Sequence, residues 1–171
     1  HHSGETALFL FTSGTTGDPK GVRLTPQNML SSALASAFRL GVTPGDRWLC
    51  CLPMYHMGGL APTFRCALYG TTLVLQREFD ATATAEVLER EDITGVSLVP
   101  TQLSRLIDAE LSAPALRTIL LGGAPASNAL LDRADEAGLP VYPTYGLTET
   151  ASQVATASPA ERRTYPGTVG Q

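Results

Sequence analysis

The alternation of short apolar segments with segments of helical periodicity constrains this chain most, because it recurs along most of the sequence. The apolar segments are mostly continuous runs rather than strict apolar and polar alternations, which is typical of buried parallel strands. The predicted strands cover residues 8–11, 47–52, 72–75, 95–99, 118–121 and 141–142. Since strands separated by helices usually pair in parallel, the sequence predicts an α/β fold with a mostly parallel sheet flanked by helices.

The clearest predicted helix follows Thr25, which is suited to the N-cap, and Pro26, which is suited to the first helical position. Apolar residues then recur at helical spacing on one face of this helix. These residues are Leu30, Leu34, Ala37 and Phe38. Further helices are predicted over residues 59–69, 83–91, 101–111 and 127–137.

The length of 171 residues, 43% of them hydrophobic, is enough for one compact domain with one core. We expect residues 5–157 to form this domain and residues 1–4 to remain from a tag. Residues 158–171 are rich in Pro, Gly and Arg, and we expect them to form a loop-like tail that leads into a missing remainder.

The charge and the cysteines favour small-molecule partners and a reducing cytoplasm. The net charge is −4, with 12 Lys and Arg scattered among 16 Asp and Glu, which argues against nucleic-acid or anionic-membrane partners. No apolar run is long enough to cross a bilayer. Cys50, Cys51 and Cys66 are predicted to be buried small hydrophobic residues rather than a disulfide or a metal site. The composition is compatible with an oligomer without indicating one.

The segment after the first predicted strand has the composition of a phosphate-binding loop. Residues 12–21 read TSGTTGDPKG, with four small hydroxyl side chains, three glycines and one lysine. Glycines let backbone N–H groups approach oxyanions closely, hydroxyls add donors, and the lysine adds a mobile positive charge. The spacing is not that of a Walker A loop, which disfavours a P-loop kinase or GTPase. The alternative is an ordinary glycine and threonine turn.

The segment FTSGTTGDPKGV, residues 11–22, resembles the phosphate loop of the adenylate-forming superfamily, which includes acyl-CoA synthetases, luciferases and peptide-synthetase adenylation domains. LPMYHMGG at residues 52–59 and YGLTET at residues 145–150 follow in the order that this family requires. The resemblance implies a ligase that uses ATP with Mg²⁺ to activate a small carboxylic acid as its acyl-AMP. The acyl group would then pass to CoA.

Residues near two predicted strand ends are candidates for the nucleotide site. Thr148 and Glu149 should lie at the ligand edge of the sheet, where the glutamate would be useful near ATP only by holding Mg²⁺. The alternative is a surface helix start. The resemblance assigns the same roles to Thr148 and Glu149. It also implies that a glycine-rich turn and a nearby aromatic residue flank the adenosine. The alternative for this turn is an ordinary tight βα turn. The predicted nucleotide-binding residues are Thr12, Ser13, Gly14, Thr15, Thr16, Gly17, Lys20, Gly122, Gly123, Ala124, Tyr145, Gly146 and Thr148.

His56 is the only histidine outside the first two residues, and a lone histidine is more often structural than functional. Its place after a strand and before Gly58 suggests a ring that swings over a pocket mouth, and similar enzymes use this position to line or gate the carboxylate site. We therefore predict a substrate-pocket residue rather than a general base. The predicted catalytic set is His56, Lys20, Thr148 and Glu149.

Arg65 is the one charge in the apolar helical segment 59–69, where an unpaired cation is costly. It could reach solvent, pair with a local acid, or meet a substrate carboxylate, and the residues alone leave these alternatives open. The surrounding segments are most similar to the o-succinylbenzoate:CoA ligases of menaquinone biosynthesis. That resemblance implies a substrate with two carboxylates, for which Arg65, Ser152 and Gln153 would be anchors beside His56 and Gly123.

The resemblance stops before the parts of the family that bind ribose, form the hinge and supply a C-terminal lysine. We therefore expect a truncated part of the enzyme, one subdomain of its N-terminal domain, with little or no activity alone. The alternatives are a fatty-acid or aryl-CoA ligase, a peptide-synthetase adenylation domain, and a non-catalytic nucleotide-binding remnant.

Overall fold

The computed structural model describes residues 5–12 and 18–170. The elements in chain order are β1 (Leu8–Thr12), β2 (Lys20–Leu24), α1 (Pro26–Leu40), β3 (Arg47–Cys50), α2 (Met57–Tyr69), β4 (Thr72–Leu75), α3 (Ala81–Arg90), β5 (Gly95–Leu98), α4 (Pro100–Asp108), β6 (Thr118–Leu121), α5 (Asn128–Glu136), β7 (Val141–Leu147), a 3₁₀ turn (Thr148–Thr150), β8 (Ser152–Thr156) and α6 (Pro159–Thr164).

The main sheet has six strands in the order β4-β3-β5-β6-β7-β8. Its neighbouring strands are parallel except for β7 and β8, which pair antiparallel with an irregularity in register at Tyr145 and Gly146. Helices α3, α4 and α5 contribute to the core on one face, whereas α2 packs against β3 and β4 and α1 packs against α2 and β8. The prediction of an α/β fold with a mostly parallel sheet is therefore confirmed.

The core lies between the sheet and helices α3 to α5. Leu49, Val96, Ile119 and Val141 project from four adjacent strands and are fully buried. Each buried aliphatic side chain of this size stabilises the fold by about 1.5–3 kcal/mol relative to its exposed state. The three cysteines are buried and free, as predicted. Burial raises the pKa of the Cys51 thiol to about 12, so this thiol is not a nucleophile at neutral pH.

Helix α1 forms as predicted but presents a different face to the fold. Thr25 and Asn28 make a capping box, and Pro26 is the first helical residue. The apolar side chains of Leu34 and Phe38 are 60% and 95% exposed, respectively. The buried face instead carries Ala33 and Ser36. Small and polar side chains on this face contact α2 and β8. A search for apolar periodicity does not detect such a face.

The first predicted strand is not part of the main sheet, so the expectation of a buried parallel strand is wrong there. β1 pairs antiparallel with β2, Thr12 opposite Lys20, and the two form a separate two-stranded sheet. Phe9 and Phe11 are exposed on one side of this hairpin, while Leu10 and Leu24 pack against α2. An apolar run shows that a strand forms, but it does not show which strand is its partner.

The predicted loop-like tail over residues 158–171 contains helix α6. Ser158 and Glu161 form a capping box at its start. The buried side chain of Arg162 forms an ion pair with Asp135 of α5, which fastens α6 to the fold. No helix in residues 5–12 and 18–170 combines the length and the hydropathy needed to cross a bilayer.

Candidate functional site

A cavity of about 470 Å³ opens at the carboxyl ends of β3, β5 and β6 and along β7. This is the edge of a parallel sheet where ligands are expected, because backbone groups and loops converge there. Eight of the predicted site residues line the cavity. They are His56, Arg65, Gly122, Gly123, Gly146, Thr148, Ser152 and Gln153. The fold therefore brings together residues from three separated sequence segments.

His56 lies at the N-cap of α2 and is exposed at the edge of the cavity. Its imidazole stacks obliquely on Tyr55, with ring centroids 4.5 Å apart. Its side chain makes no capping hydrogen bond to the helix. This position fits a ring that borders a pocket mouth.

Gly122 and Gly123 form the cavity wall after β6. A Cβ atom on Gly122 would lie 2.9 Å from the Thr144 Cγ2 atom, and Gly123 has a φ of +80°, which side chains rarely adopt. Both positions therefore require glycine, and they leave bare backbone facing the cavity. Such a surface suits a flat ring, as predicted for the adenine.

Ala124 and Tyr145 do not line the cavity, although each neighbours a glycine that does. Both side chains are exposed. Their predicted adenosine contact therefore remains a prediction about the rim of the site.

Thr148 lines the cavity from the 3₁₀ turn after β7, whereas Glu149, the next residue, has an exposed side chain and does not line the cavity. No group of three potential metal-binding side chains occurs in the described part of the chain. A single carboxylate nevertheless fits Mg²⁺, because this ion usually takes one or two protein carboxylates and receives its other oxygens from phosphate and water. Glu149 could therefore hold a magnesium ion that arrives with ATP.

The hairpin β1–β2 packs beside this turn, since β2 contacts the 3₁₀ turn. Thr12 Oγ1 donates to the Lys20 carbonyl at 3.4 Å, which holds together the two ends of the predicted phosphate loop. Lys20 is exposed and does not line the cavity. The predicted phosphate ligands Ser13, Gly14, Thr15, Thr16 and Gly17 lie outside the described residues.

Arg65 is buried in α2, with 6% of its surface exposed, and lines the cavity. Its Nη1 donates to Ser36 Oγ at 2.8 Å and to Gln153 Oε1 at 3.0 Å, and its guanidinium lies 4.9 Å from the centroid of the Trp48 ring. No carboxylate in residues 5–12 and 18–170 forms an ion pair with it. Burial accordingly lowers the pKa of the Arg65 guanidinium.

These contacts exclude two of the three alternatives for Arg65. The side chain does not reach solvent, and among the described residues it has no local acid. A buried cation without an anion is costly, and a ligand carboxylate in the cavity would offset that cost. Arg65 is thus the strongest electrostatic feature of the cavity.

Ser97 is a cavity residue that the sequence did not indicate. It lies in β5, and its hydroxyl is buried without a hydrogen-bond partner in the part of the chain that the structure describes. A buried unpaired hydroxyl at a cavity surface is available to a ligand. A single serine within an apolar strand does not by itself indicate a ligand site, so the sequence offered no sign of this role.

Ser152 has a strained backbone, with a φ of 128°. Ala151 beside it has a φ of 55°, so two successive non-glycine residues have positive φ. Such conformations cost about 1–3 kcal/mol each and cluster at functional sites. At this point the chain turns from the Thr148–Thr150 turn into β8, and Ser152 lines the cavity.

The fold and the glycine-walled cavity define an α/β protein with a ligand site at the carboxyl ends of its parallel strands. The family described as AMP-binding enzyme matches residues 1–171, and the chain belongs to this family. This confirms the resemblance that the three sequence segments carry.

Comparison with individual proteins indicates a particular group of relatives. The chain is 44% identical over 156 residues to the 2-succinylbenzoate–CoA ligase of Bacillus pumilus. The aligned region covers 91% of this chain and 32% of that protein. It is also similar to o-succinylbenzoate CoA synthetase of Bacillus subtilis in complex with the acyl-adenylate intermediate OSB-AMP. That structure has a TM-score of 0.96 and 41% identity, over 99% of this chain and 35% of the other.

The same Bacillus subtilis enzyme in complex with ATP and magnesium ion gives a TM-score of 0.95 and 41% identity, over 99% of this chain and 36% of the other. The similarity to o-succinylbenzoate:CoA ligases predicted from the sequence is thereby confirmed. The chain spans about a third of the length of the curated relatives it matches.

Proposed function

We propose that this chain is the nucleotide- and acid-binding part of an ATP-dependent acid:CoA ligase, and that its acid is o-succinylbenzoate, in menaquinone biosynthesis. The observation that carries the proposal is the buried Arg65, which faces the cavity and forms no ion pair in the described part of the chain. The relatives named above carry the matching activity in their names. The free, buried cysteines support a cytoplasmic location.

The acid-binding part of the proposal follows from charge. A substrate with two carboxylates has one to activate and one that must be recognised, and a desolvated guanidinium recognises a carboxylate strongly. A purely apolar acyl chain would leave Arg65 uncompensated, which disfavours a fatty-acid ligase. Ser97 and Ser152 line the same cavity and add hydroxyl donors for the substrate.

The nucleotide-binding part follows from the glycine wall and the turn after β7. Gly122 and Gly123 provide bare backbone for adenine, and Thr148 would donate to the α-phosphate. Glu149 would hold the magnesium ion against phosphate oxygens. The donors predicted for the pyrophosphate side are Ser13, Thr15, Thr16 and Lys20.

The proposed reaction has two steps. The substrate carboxylate attacks the α-phosphorus of ATP, the bond to the bridging oxygen breaks, and pyrophosphate leaves with the bond electrons. The CoA thiolate then attacks the acyl carbon, and AMP leaves as the thioester forms. The chain's own residues contribute by aligning acid and nucleotide and by donating hydrogen bonds to the charge that develops on phosphate.

An Arg65→Met substitution in the full-length ligase that contains this chain tests the proposal. We expect kcat/KM for o-succinylbenzoate to fall about 100-fold, since removing one partner of a buried charge pair costs about 2–5 kcal/mol. For an analogue that lacks the carboxylate that is not activated, the same substitution should lower kcat/KM less than about threefold, because this analogue forms no bond to Arg65. Thioester formation is measured by mass for both acids.

Arg105→Met is a matched control, because this arginine is exposed on α4 and does not line the cavity. It should leave both acids unaffected. Equal losses for the two acids in Arg65→Met, or thioester formation with other acids but not with o-succinylbenzoate in the unmodified enzyme, would contradict the proposed substrate.

A further inference from the structure

Arg65 is held in place by groups that lie on three different elements. Ser36 of α1 accepts a hydrogen bond from its Nη1 atom, and Gln153 of β8 accepts another. Ser36 Oγ in turn donates to Gln153 Oε1 at 2.9 Å, so the three side chains form a closed triangle. Trp48 of β3 covers one face of the guanidinium.

These contacts take up both acceptor sites of the Gln153 amide oxygen and one of its two N–H donors. Its Oε1 accepts from both Ser36 and Arg65, and its Nε2 donates to Thr156 Oγ1 at 2.8 Å. An amide whose oxygen and nitrogen are both engaged within the protein has little capacity for a ligand. Gln153 therefore acts through Arg65, although it lines the cavity.

The triangle occupies only one nitrogen of the guanidinium. Arginine has five N–H donors, and both hydrogen bonds to Ser36 and Gln153 come from Nη1. The fork formed by the remaining donors is what a carboxylate binds with two parallel hydrogen bonds. Fixing Nη1 therefore restricts the orientations of these donors before the ligand arrives, which lowers the entropy lost on binding.

The Trp48 indole fits beside Arg65 because its partner residue on β5 is a glycine. Trp48 and Gly95 are partners in the parallel register of β3 and β5. A Cβ atom on Gly95 would lie 2.4 Å from the Trp48 ring, so only glycine leaves room for the indole at this position. The indole then supports the Arg65 guanidinium through a cation–π contact.

Helix α1 makes two similar contacts on either side of Ser36. Ser32 Oγ donates to the Ala151 carbonyl at 2.8 Å, and Arg39 Nε donates to the Thr156 carbonyl at 2.7 Å. The three residues lie on one face of the helix at spacings of four and three. Of these three, only Ser36 forms a hydrogen bond with Arg65, which makes Ser32 a suitable control.

We propose that Ser36 is a positioning residue for substrate recognition, which together with Gln153 and Trp48 presets the Arg65 guanidinium for the second carboxylate of a dicarboxylate acid. This inference rests on the proposed function of the cavity. It assigns to α1, a helix outside the predicted motifs, a role in the choice of acid.

The test compares three variants of the full-length ligase, Ser36→Ala, Ser32→Ala and Arg65→Met, on o-succinylbenzoate and on the analogue that lacks the carboxylate not activated. For Ser36→Ala we expect KM for o-succinylbenzoate to rise about tenfold with kcat retained, because a hydrogen bond to a charged group is lost. KM for the analogue should change less than about twofold. Ser32→Ala should leave the ratio of the two KM values unchanged.

Four results would overturn the inference. The first is a Ser36→Ala variant that loses activity equally on both acids, since this would show a purely structural role. The second is a Ser32→Ala variant that loses the preference for o-succinylbenzoate as much as Ser36→Ala does. The third is an Arg65→Met variant that keeps the preference for o-succinylbenzoate, which would also refute the proposed function. If Arg65→Met loses the preference while Ser36→Ala keeps it, the inference alone fails.

Gly95→Ala provides a second measurement that does not touch Ser36 or Gln153. The added methyl group must displace Trp48, so the support behind Arg65 shifts. We expect a rise in KM for o-succinylbenzoate of about fivefold to tenfold and little change for the analogue, as expected for a cation–π contact. An unchanged KM ratio in a folded Gly95→Ala protein, judged by its thermal melt, would contradict the role of Trp48.

Discussion

The Arg65 guanidinium shows how single residues prepare a binding site. It is desolvated by burial, and its contacts in the described part of the chain are two neutral oxygen atoms and an aromatic face. Neutral partners lower the cost of burying the charge without neutralising it. The cavity therefore retains a net attraction for an anion, which an aspartate or glutamate at the same contacts would have removed.

Glu149 is the residue on which the proposed magnesium role depends. In the full-length ligase, Glu149→Gln should lower the rate of ATP–pyrophosphate exchange at least about 100-fold, because a neutral amide cannot replace the carboxylate that holds the ion. Raising the Mg²⁺ concentration should recover part of the rate. Glu136→Gln is the matched control, because this glutamate is also exposed but lies on α5 rather than beside Thr148. Undiminished exchange at all Mg²⁺ concentrations would refute the role.

The site residues found from the sequence are those with a local signature. Gly122, Gly123 and Thr148 belong to short motifs after strands, and the structure places all three at the cavity. Ser36 and Gln153 differ, because they contact Arg65 from 29 and 88 positions away along the chain. Gln153 was predicted as a substrate ligand, and only the full hydrogen-bond pattern shows that its amide is occupied. Contacts of this kind depend on how helices pack, which local patterns do not encode.

At the scale of elements, α1 combines a strong local start with a polar packing face. Its start was predictable, since Thr25 and Pro26 satisfy the first turn of a helix. Its buried face was not, because Leu34 and Phe38 gave the apolar periodicity while Ala33 and Ser36 pack inward. Strand β2 was not predicted either, because its sequence KGVRL is short and half polar. Helix α6 was also missed, although Ser158 and Glu161 have the spacing of a capping box.

The capping box of α1 should contribute measurably to stability. Thr25 Oγ1 accepts a hydrogen bond from the Asn28 backbone N–H at 3.2 Å. Thr25→Ala should lower the free energy of unfolding by about 1 kcal/mol, because a backbone donor loses its partner. Urea unfolding measures the change, and Thr82→Ala, at an exposed position inside α3, is the control that should stay within about 0.5 kcal/mol. An equal effect of the two substitutions would argue against the cap.

At the scale of the whole molecule, the sheet has a binding edge and an opposite edge that fastens the layers together. The cavity lies at the carboxyl ends of the strands. At the other end, Asp46 precedes β3 and accepts hydrogen bonds from Arg117, which precedes β6, and from Thr94, which precedes β5. Arg117 also donates to the Leu40 carbonyl at the end of α1. The Asp46 carboxylate therefore links the starts of three strands, and Arg117 extends this link to α1. Because the link lies at the end of the sheet opposite to the cavity, its contribution can be measured through stability alone.

The pH dependence of stability should reveal this link. Burial alone would raise the pKa of Asp46, but hydrogen bonds from Arg117, Thr43 and Thr94 outweigh it and lower the pKa to about 2. Because the folded pKa is below the unfolded one, the contribution is present above about pH 4 and is lost as the pH falls towards 2. The shift corresponds to about 2 kcal/mol, which is the part of the stability gained between pH 2 and pH 7 that Asp46 should contribute and that urea unfolding of an Asp46 variant measures.

Asp46→Asn removes the titrating group and keeps the shape, so its free energy of unfolding should be lower at pH 7 and should fall less steeply below pH 4 than that of the unmodified chain. Asp132→Asn on α5 is the control, since this aspartate is exposed and forms no ion pair within the described residues. Parallel stability curves for the unmodified chain and Asp46→Asn between pH 7 and pH 2 would mean that the charge of Asp46 does not contribute to joining the layers. A difference that is largest at pH 7 and disappears towards pH 2, with no effect on ligand affinity at pH 7, would place the fastening of the fold and the chemistry of the site at opposite ends of the same strands.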